Sequence, residues 1–306
     1  MIKQKCFSTF FINLGLILFF ILHCLLFPAK SSSREISYQT YPQPHSIVHI
    51  ITIPHQSNYE IIPTATSKLA TLKKFMLQNN AIAGINGGFF DPKNQQTTSY
   101  ILQQGKILAD PRNNIGLIEN INIQPYLGKI LNRSEFRSYN CGQNIEYDIT
   151  LHSDPIPLGC QLQDALGAGP KILPLETSIQ EGFVAYKNGK LVRNAIGTTS
   201  RNARSAIAIA KNQDILLVMV SQRAHKNSGM SLSELANFLS NLGVVKAMNL
   251  DGGSSSAISY QGNIIYGRLD RDGNEVKRSL KSVLLVTTND KKLDSAKQVM
   301  IHFSDQ

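Results

Sequence analysis

Asp251 is the first residue that we assign to catalysis. It follows an apolar segment, residues 244–250, and precedes Gly252, Gly253 and three serines. Glycines allow a ligand to approach the backbone closely, and the carboxylate would stand beside that approach. A carboxylate placed this way can activate water or stabilise a developing positive charge. An ordinary Asp-Gly-Gly turn is the alternative, and the local sequence leaves both interpretations open.

The residues before Asp251 predict the elements that must position it. Ser231 and Glu234 form a capping box, apolar residues follow at helical spacing, and Gly243 stands where the helix should end. The run 244–250 is short and β-branched, which is typical of a buried strand. We therefore expect a helix, a turn and a buried strand with an acidic tip.

A second stretch, residues 81–91 with the sequence AIAGINGGFFD, repeats this arrangement. A helix is predicted to lead into a short apolar strand that ends at Asn86, and Gly87 and Gly88 follow. The sequence therefore predicts two glycine tips that line one cleft.

Arg204 stands at the mouth of a predicted buried hairpin whose strands cover residues 205–210 and 215–220. Its planar guanidinium can bind an anionic group, or it can serve as a structural ion-pair partner, and both interpretations are open. The glycine-rich loop 165–170, ALGAGP, lacks the features of a P-loop and of a dinucleotide fingerprint, so it is weak support for a phosphate cradle.

The N-terminal residues predict an exported protein. Among 306 residues, Lys3 and Lys5 precede an uncharged apolar run over 7–27. Residues 1–30 are therefore predicted to be a signal peptide or a membrane anchor, with the rest in the periplasm or outside the cell. Polar residues 31–44 predict a linker, residues 45–288 one domain, and residues 289–306 a tail.

Other elements are predicted from periodicity and turn residues. Strands are expected over 46–53 and 59–62, followed by a helix that is capped at Thr66 or Ser67. Residues 115–123 have β character, and the segment 124–140 has no clear pattern.

Cys141 and Cys160 are the cysteines outside the leader. In an exported chain this pair predicts a disulfide, worth about 3 kcal/mol, and two free buried thiols are the alternative. A metal site on Asp91 and Asp251 lacks helical ligand spacing, so we expect no metal and no cofactor.

The net charge of +10 is spread along the chain rather than gathered in blocks. This argues against a nucleic-acid-binding arm and favours attraction to an anionic substrate or surface. A solvated basic surface without a partner is the alternative.

Residues 45–288 resemble the phosphodiester glycosidase family. Five segments occur in that family's order and spacing: AIAGINGGFFD, ALGAGP, RNARSAIAIA followed by DILLVMV, GMSLSELANFLSNLGVVKAMNLDGGSSSA, and RSLKSVLLV. Each segment alone is a weak signal, whereas the ordered set is specific. The resemblance implies an α+β fold with a mixed β-sheet core and flanking helices in a single domain.

The resemblance also implies which residues meet in the cleft. The implied catalytic residues are Asp251, Arg204, Asn86 and Asp91. The implied substrate-binding residues are Gly87, Gly88, Phe89, Gly169, Gly252, Gly253, Ser254 and Ser255. Ser254 departs from the family pattern, which usually has a third glycine there, and its side chain could narrow the approach and change the substrate.

The implied activity is hydrolysis of the glycosidic bond of a sugar-1-phosphodiester, of N-acetylhexosamine type. The substrate would be an anionic phosphoglycan or resemble a nucleotide sugar. Arg204 would clamp the phosphate with help from backbone N–H groups at the glycine tips, and Asp251 would activate water or stabilise an oxocarbenium-like centre. Asn86 would bind sugar hydroxyls or phosphate, and the role of Asp91 is open.

Two other classes of function fit parts of the sequence. One is a non-catalytic protein that binds an anionic glycan or assists exopolysaccharide or envelope assembly. The other is a serine hydrolase that uses one of residues 254–256, although the sequence has no Gly-x-Ser-x-Gly elbow and no evident histidine base.

Overall fold

The computed structural model describes residues 34–288, so the predicted leader and the tail over 289–306 lie outside the described residues. Residues 35–288 group into one unit. Within residues 34–288, no helix is both long and apolar enough to cross a membrane.

Three sheets and one separate hairpin contain the strands. The first sheet has six strands: β1 (Ser37–Gln43), β2 (Ser46–Ile53), β10 (Lys171–Leu173), β13 (Arg204–Ala210), β14 (Ile215–Gln222) and β15 (Val244–Asn249). The second has five: β3 (Tyr59–Ala70), β4 (Ala83–Asn86), β16 (Ala257–Tyr260), β17 (Asn263–Tyr266) and β18 (Leu280–Thr288). The third has five: β5 (Ile101–Gln103), β6 (Lys106–Ala109), β7 (Ser134–Cys141), β8 (Asn144–Leu151) and β9 (Gln161–Gly167). The hairpin consists of β11 (Val184–Lys187) and β12 (Lys190–Asn194).

The strand orders bring distant parts of the chain together. The orders are β1-β2-β14-β13-β15-β10 in the first sheet, β17-β16-β4-β18-β3 in the second and β6-β5-β9-β7-β8 in the third. All pairings between these strands are antiparallel. The predicted mixed sheet is therefore corrected: the α+β class holds only in a sheet-dominated form.

The helices are few and short. They are α1 (Leu72–Gln78), α2 (Ile115–Ile118), α3 (Leu127–Leu131) and α4 (Leu232–Asn241), with 3₁₀ turns over Pro111–Asn113, Gln124–Tyr126 and Gly253–Ser255. In α4 the predicted capping box is present, because the Ser231 hydroxyl accepts from the Glu234 N–H and the Glu234 carboxylate accepts from the Ser231 N–H. This helix leads directly toward β15.

The core lies between the sheets, and the two longer helices cover outer faces. Ile51, Ile85 and Leu166, from the first, second and third sheets, belong to one buried cluster. Strand alternation turns neighbouring side chains to the other face of the first sheet, where α4 packs. Helix α1 packs in the same way against the second sheet. The first and second sheets are thus buried on both faces.

Three predicted segments are corrected by the structure. The predicted linker contains β1, which pairs along its length with β2. The helix predicted to begin at Thr66 or Ser67 begins at Leu72, capped by Thr71, because β3 continues to Ala70 beside β18. Residues 115–118, predicted as β, form α2.

The predicted disulfide between Cys141 and Cys160 is present. It joins the end of β7 to the residue before β9, its neighbour in the third sheet. The alternative of two free thiols is excluded in this structure.

Candidate active site

The two predicted glycine tips are in direct contact. The Asp251 N–H donates to the Gly87 carbonyl at 3.1 Å, and the Asn86 amide donates to the Asp251 carbonyl at 2.6 Å. Asn86 ends β4 of the second sheet, whereas Asp251 follows β15 of the first. The site therefore forms where the ends of inner strands from two sheets meet.

The Asp251 carboxylate is half-buried at this junction. Burial raises its pKa to about 6, against the lowering effects of the Ser255 side chain, the Arg278 charge and the Gly252 N–H. The Gly252 N–H donates to Oδ1 at 3.0 Å. A carboxyl with a pKa of about 6 can take up or release a proton near neutral pH, which a general acid or base requires.

Arg278 is a site residue that the sequence analysis did not single out. Its Nη1 donates to the Ser254 hydroxyl at 2.8 Å, and its guanidinium carbon lies 5.1 Å from the centre of the Phe90 ring. Within residues 34–288 this is the one hydrogen bond that its guanidinium donates, so its other donors can bind an anion. The signal was its position as the first residue of the RSLKSVLLV segment.

Ser254 makes a hydrogen bond to Arg278 that the sequence analysis did not predict. Its hydroxyl accepts from Arg278, which fixes the guanidinium beside the Asp251 tip. In the described part of the chain, none of residues 254–256 is hydrogen-bonded to a histidine, so a serine nucleophile has no base there.

Arg204 is placed differently from its predicted role. It is 2 % exposed, and its guanidinium donates to four backbone carbonyls, those of Met230, Ile196, Gly197 and Ser200, at 2.6–3.0 Å. Burial lowers its pKa to about 10, which still leaves it charged at neutral pH. Its donors are taken up by the loop before β13 and by Met230 before α4, and its partners are carbonyls rather than a carboxylate.

Asn86 is also a positioning residue. It is fully buried, and its Oδ1 accepts from the Ser205 hydroxyl at 2.6 Å and from the Ala257 N–H at 3.1 Å. Its amide nitrogen donates to Asp251. The predicted contact with sugar hydroxyls or phosphate is not available to a side chain whose polar atoms are already bonded within the protein.

The glycines of the two tips let neighbouring parts of the chain pack closely, and their N–H groups are bonded within the protein rather than open to a phosphate. The Gly87 N–H donates to the Ser282 carbonyl at 2.8 Å, the Gly88 N–H to the Ser282 hydroxyl at 3.2 Å, and the Gly253 N–H to the Ala203 carbonyl at 2.8 Å. A Cβ at Gly87 would lie 2.5 Å from the Ser282 hydroxyl. The predicted cradle of these N–H groups is therefore not formed.

Gly169 has a structural role of the same kind. Its φ of +94° favours glycine, and a Cβ there would lie 2.2 Å from a carboxylate oxygen of buried Glu181. It exchanges hydrogen bonds with Asn249 at the end of β15. The loop 165–170 thus supports the strand that presents Asp251.

Asp91 and Phe89 lie on the chain just beyond the Asn86 tip. The Asp91 carboxylate accepts from the Lys93 N–H at 2.8 Å and closes a turn. The Phe89 ring packs 5.5 Å from the centre of the Phe183 ring. In the described chain, no group of three His, Cys, Asp or Glu residues is arranged to hold a metal ion.

Comparison with known proteins places this site in a family. A family model described as phosphodiester glycosidase matches residues 79–287. The match covers more than half of the chain and includes Asn86, Asp251 and Arg278, so the chain belongs to the phosphodiester glycosidase family. No curated protein is matched by the sequence.

Solved structures share the fold at low identity. A hypothetical protein from Synechocystis has a TM-score of 0.55 and 19 % identity, with 83 % of this chain and 62 % of that chain covered. The zebrafish N-acetylglucosamine-1-phosphodiester alpha-N-acetylglucosaminidase catalytic domain, auto-inhibited by its pro-peptide, has a TM-score of 0.59 and 15 % identity, with 85 % of each chain covered. A Burkholderia pseudomallei protein has a TM-score of 0.54 and 15 % identity, with 80 % and 75 % covered.

Proposed function

We propose that this protein is a hydrolase that cleaves the glycosidic bond of a sugar-1-phosphodiester, with an N-acetylhexosamine as the sugar. Family membership and the printed name of the zebrafish relative support this activity. The observation that carries it is the Asp251 carboxyl, with its pKa raised to about 6, beside the open donors of Arg278. The predicted leader supports an exported setting.

The residues suit the reaction. Cleavage at the anomeric carbon releases a phosphate monoester, a good leaving group that needs little help from a general acid. Arg278 binds the phosphate oxygens, and ionised Asp251 accepts a proton from the water that attacks the anomeric carbon. The carbon–oxygen bond to the phosphate then breaks, and its electron pair leaves with the phosphate. Asn86 holds the Asp251 backbone during this step.

The test uses a methyl phosphodiester of N-acetylglucosamine-1-phosphate, with release of free sugar followed over time. Asp251→Asn removes the proton acceptor, and kcat is expected to fall by about 100-fold or more. Arg278→Gln removes an anion contact, and KM is expected to rise by about tenfold.

Glu119→Gln is the matched control, because it removes an exposed carboxylate beyond α2 without touching the site. Hydrolysis by Asp251→Asn at the rate of the unaltered protein would overturn the assignment. Binding of an anionic glycan by the unaltered protein without any hydrolysis would favour a non-catalytic glycan-binding protein.

A further inference from the structure

A basic cavity of about 910 Å³ lies beside the Asp251 tip and is not used by the proposed chemistry. Its charged lining contains five basic residues and two acidic ones, an excess of three positive charges: Arg201, Arg223, Lys226, Arg268, Arg271, Asp270 and Asp272. Ligand sites in proteins span about 300–1,000 Å³, so the cavity has room for a group larger than a single phosphate.

Four of the basic side chains have no carboxylate partner among the described residues, since the salt bridges within residues 34–288 include none of them: Arg223, Lys226, Arg268 and Arg271. Arg223 donates to the backbone carbonyls of Gln43 and Ser46, which leaves Lys226, Arg268 and Arg271 for a ligand. Arg201 differs, because it is paired with Glu234 at 2.6 Å. Uncompensated positive charge in a concave surface attracts anions and concentrates them there.

The two acidic side chains of the cavity, Asp270 and Asp272, offset only part of this charge. The Asp270 carboxylate accepts from the backbone N–H groups of Asp272 and Asn274, both at 2.9 Å, and its pKa is lowered by these hydrogen bonds. It is thus engaged in the turn of its own loop. The positive charge of Arg268 and Arg271 stays open toward the cavity.

The loop between β17 and β18 joins the cavity to the active site. It carries Arg268 at one end and Arg278, the proposed phosphate contact, at the other. Arg268 Nη1 lies 3.4 Å from the Asn202 side-chain oxygen and would lie 3.9 Å from a Cβ at Gly253, two residues after Asp251. A substrate whose scissile phosphate sits at Arg278 therefore has this cavity next to it.

We propose that the basic cavity binds the leaving-group side of the substrate and selects for leaving groups that carry at least one phosphate beyond the scissile one. This inference rests on the proposed function. A nucleoside diphosphate and a phosphorylated sugar share the required chemistry. Lys226, Arg268 and Arg271 are the specificity-determining residues.

The test compares kcat/KM for three N-acetylglucosamine-1-phosphodiesters that differ in the leaving group: methyl phosphate, uridine diphosphate, and a phosphodiester-linked mannose that bears a phosphate monoester. The unaltered protein is expected to prefer both charged leaving groups over methyl phosphate. In the double variant Lys226→Gln/Arg271→Gln, that preference should fall by about tenfold, because exposed charges a few ångströms apart attract only weakly in water. The preference should also shrink in 0.5 M salt, because salt screens exposed charges.

The double variant Lys187→Gln/Lys190→Gln is the matched control. It removes the same charge from the β11–β12 hairpin, whose lysines do not line the basic cavity. The control should keep the preference of the unaltered protein. An unchanged preference in Lys226→Gln/Arg271→Gln would overturn the inference. A preference for uridine diphosphate alone identifies a nucleotide leaving group, and a preference for the phosphorylated sugar alone identifies a phosphoglycan.

A binding measurement separates this inference from the proposed function. Uridine diphosphate is titrated into the unaltered protein and into Lys226→Gln/Arg271→Gln by calorimetry, with no turnover involved. Weaker binding to the double variant supports the cavity as a phosphate site even if none of the three diesters is hydrolysed, in which case only the proposed function fails. Hydrolysis of all three at equal kcat/KM, with equal uridine diphosphate binding, overturns the cavity and leaves the proposed function in place.

Discussion

Arg204 and Arg278 have opposite environments near the same tip. Arg204 is buried and donates to four carbonyls, so we predict that Arg204→Lys acts through stability. A lysine cannot reproduce the planar fork, and buried carbonyls left without donors should reduce the free energy of unfolding by about 3 kcal/mol. Urea denaturation measures this change.

Arg278→Gln is the contrasting variant, since its arginine is half-buried and donates one hydrogen bond to a side chain. Its free energy of unfolding should stay within about 0.5 kcal/mol of the unaltered protein. If Arg204→Lys keeps full stability and instead raises KM for the diester, then Arg204 contacts the phosphate after all.

The raised pKa of Asp251 predicts a pH-dependent stability. Its folded value of about 6 exceeds its ordinary value of 3.8, so the folded protein binds this proton more tightly than the unfolded chain does. That contribution is fully present below pH about 4 and is lost as the pH rises through about 6. Asp251→Asn cannot ionise, so its stability relative to the unaltered protein should be about 3 kcal/mol higher at pH 8 than at pH 3.5.

Denaturation of both proteins in urea at the two pH values checks this prediction, with Glu119→Gln as the control. Activity has the opposite dependence, because the proposed proton acceptor must be ionised. The kcat/KM of the unaltered protein should therefore fall about tenfold per pH unit below pH about 6. A pH profile that is flat down to pH 4.5 would remove Asp251 as the base.

The sequence identified the residues of the tips more reliably than their roles. Asp251 could be selected because a carboxylate before two glycines is a local pattern. The Gly87 N–H and the Asn86 amide could not be assigned, because their partners, Ser282 and Ser205, lie more than a hundred residues further along the chain. Whether a polar group is free for a ligand depends on such distant partners.

The Cys141–Cys160 disulfide should stabilise the third sheet. It closes the loop over residues 141–160, which contains β8, and a loop of this size is worth about 3 kcal/mol. We predict that Cys141→Ser/Cys160→Ser lowers the free energy of unfolding by about that amount, and that a reducing agent has a similar effect on the unaltered protein. Equal stability with and without reductant would show that the bond adds nothing.

Elements with a strong local pattern were predictable, and edge elements were not. The α4 helix carries its start and stop signals in its own residues, so its bounds followed from sequence. Strand β1 is polar and mostly exposed because it lies at the edge of the first sheet, and its composition therefore favours a linker. The extension of β3 to Ala70 depends on β18, which comes more than two hundred residues later.

The site depends on the whole arrangement of sheets. Asp251 follows the first sheet, Asn86 and Ser282 belong to the second, and Gly167 at the end of the third lies against Gly88, where a Cβ would come within 2.3 Å of the Gly167 carbonyl. None of these approaches is encoded locally. The family resemblance predicted that the tips share a cleft, but only the packed structure shows what joins them.

Asn86 is the side chain that joins the first two sheets at the site, so its removal should affect both. Asn86→Ala leaves the Ser205 hydroxyl, the Ala257 N–H and the Asp251 carbonyl without their buried partner. At about 1 kcal/mol for each lost hydrogen bond, the free energy of unfolding should fall by about 3 kcal/mol. Because the Asp251 backbone is no longer held, kcat for the methyl diester should fall at least about tenfold even where the variant is fully folded.

Amide hydrogen exchange distinguishes coupling of the sheets from a local defect. In Asn86→Ala, protection should drop both at Ala257 in the second sheet and at Leu250, whose N–H donates to the Ser205 carbonyl in the first. Asn263→Ala is the control, since this asparagine is exposed at the start of β17. Loss of protection in the second sheet alone would show that Asn86 supports only its own sheet. Asp251 would then be held by its N–H bond to Gly87 rather than by the Asn86 side chain.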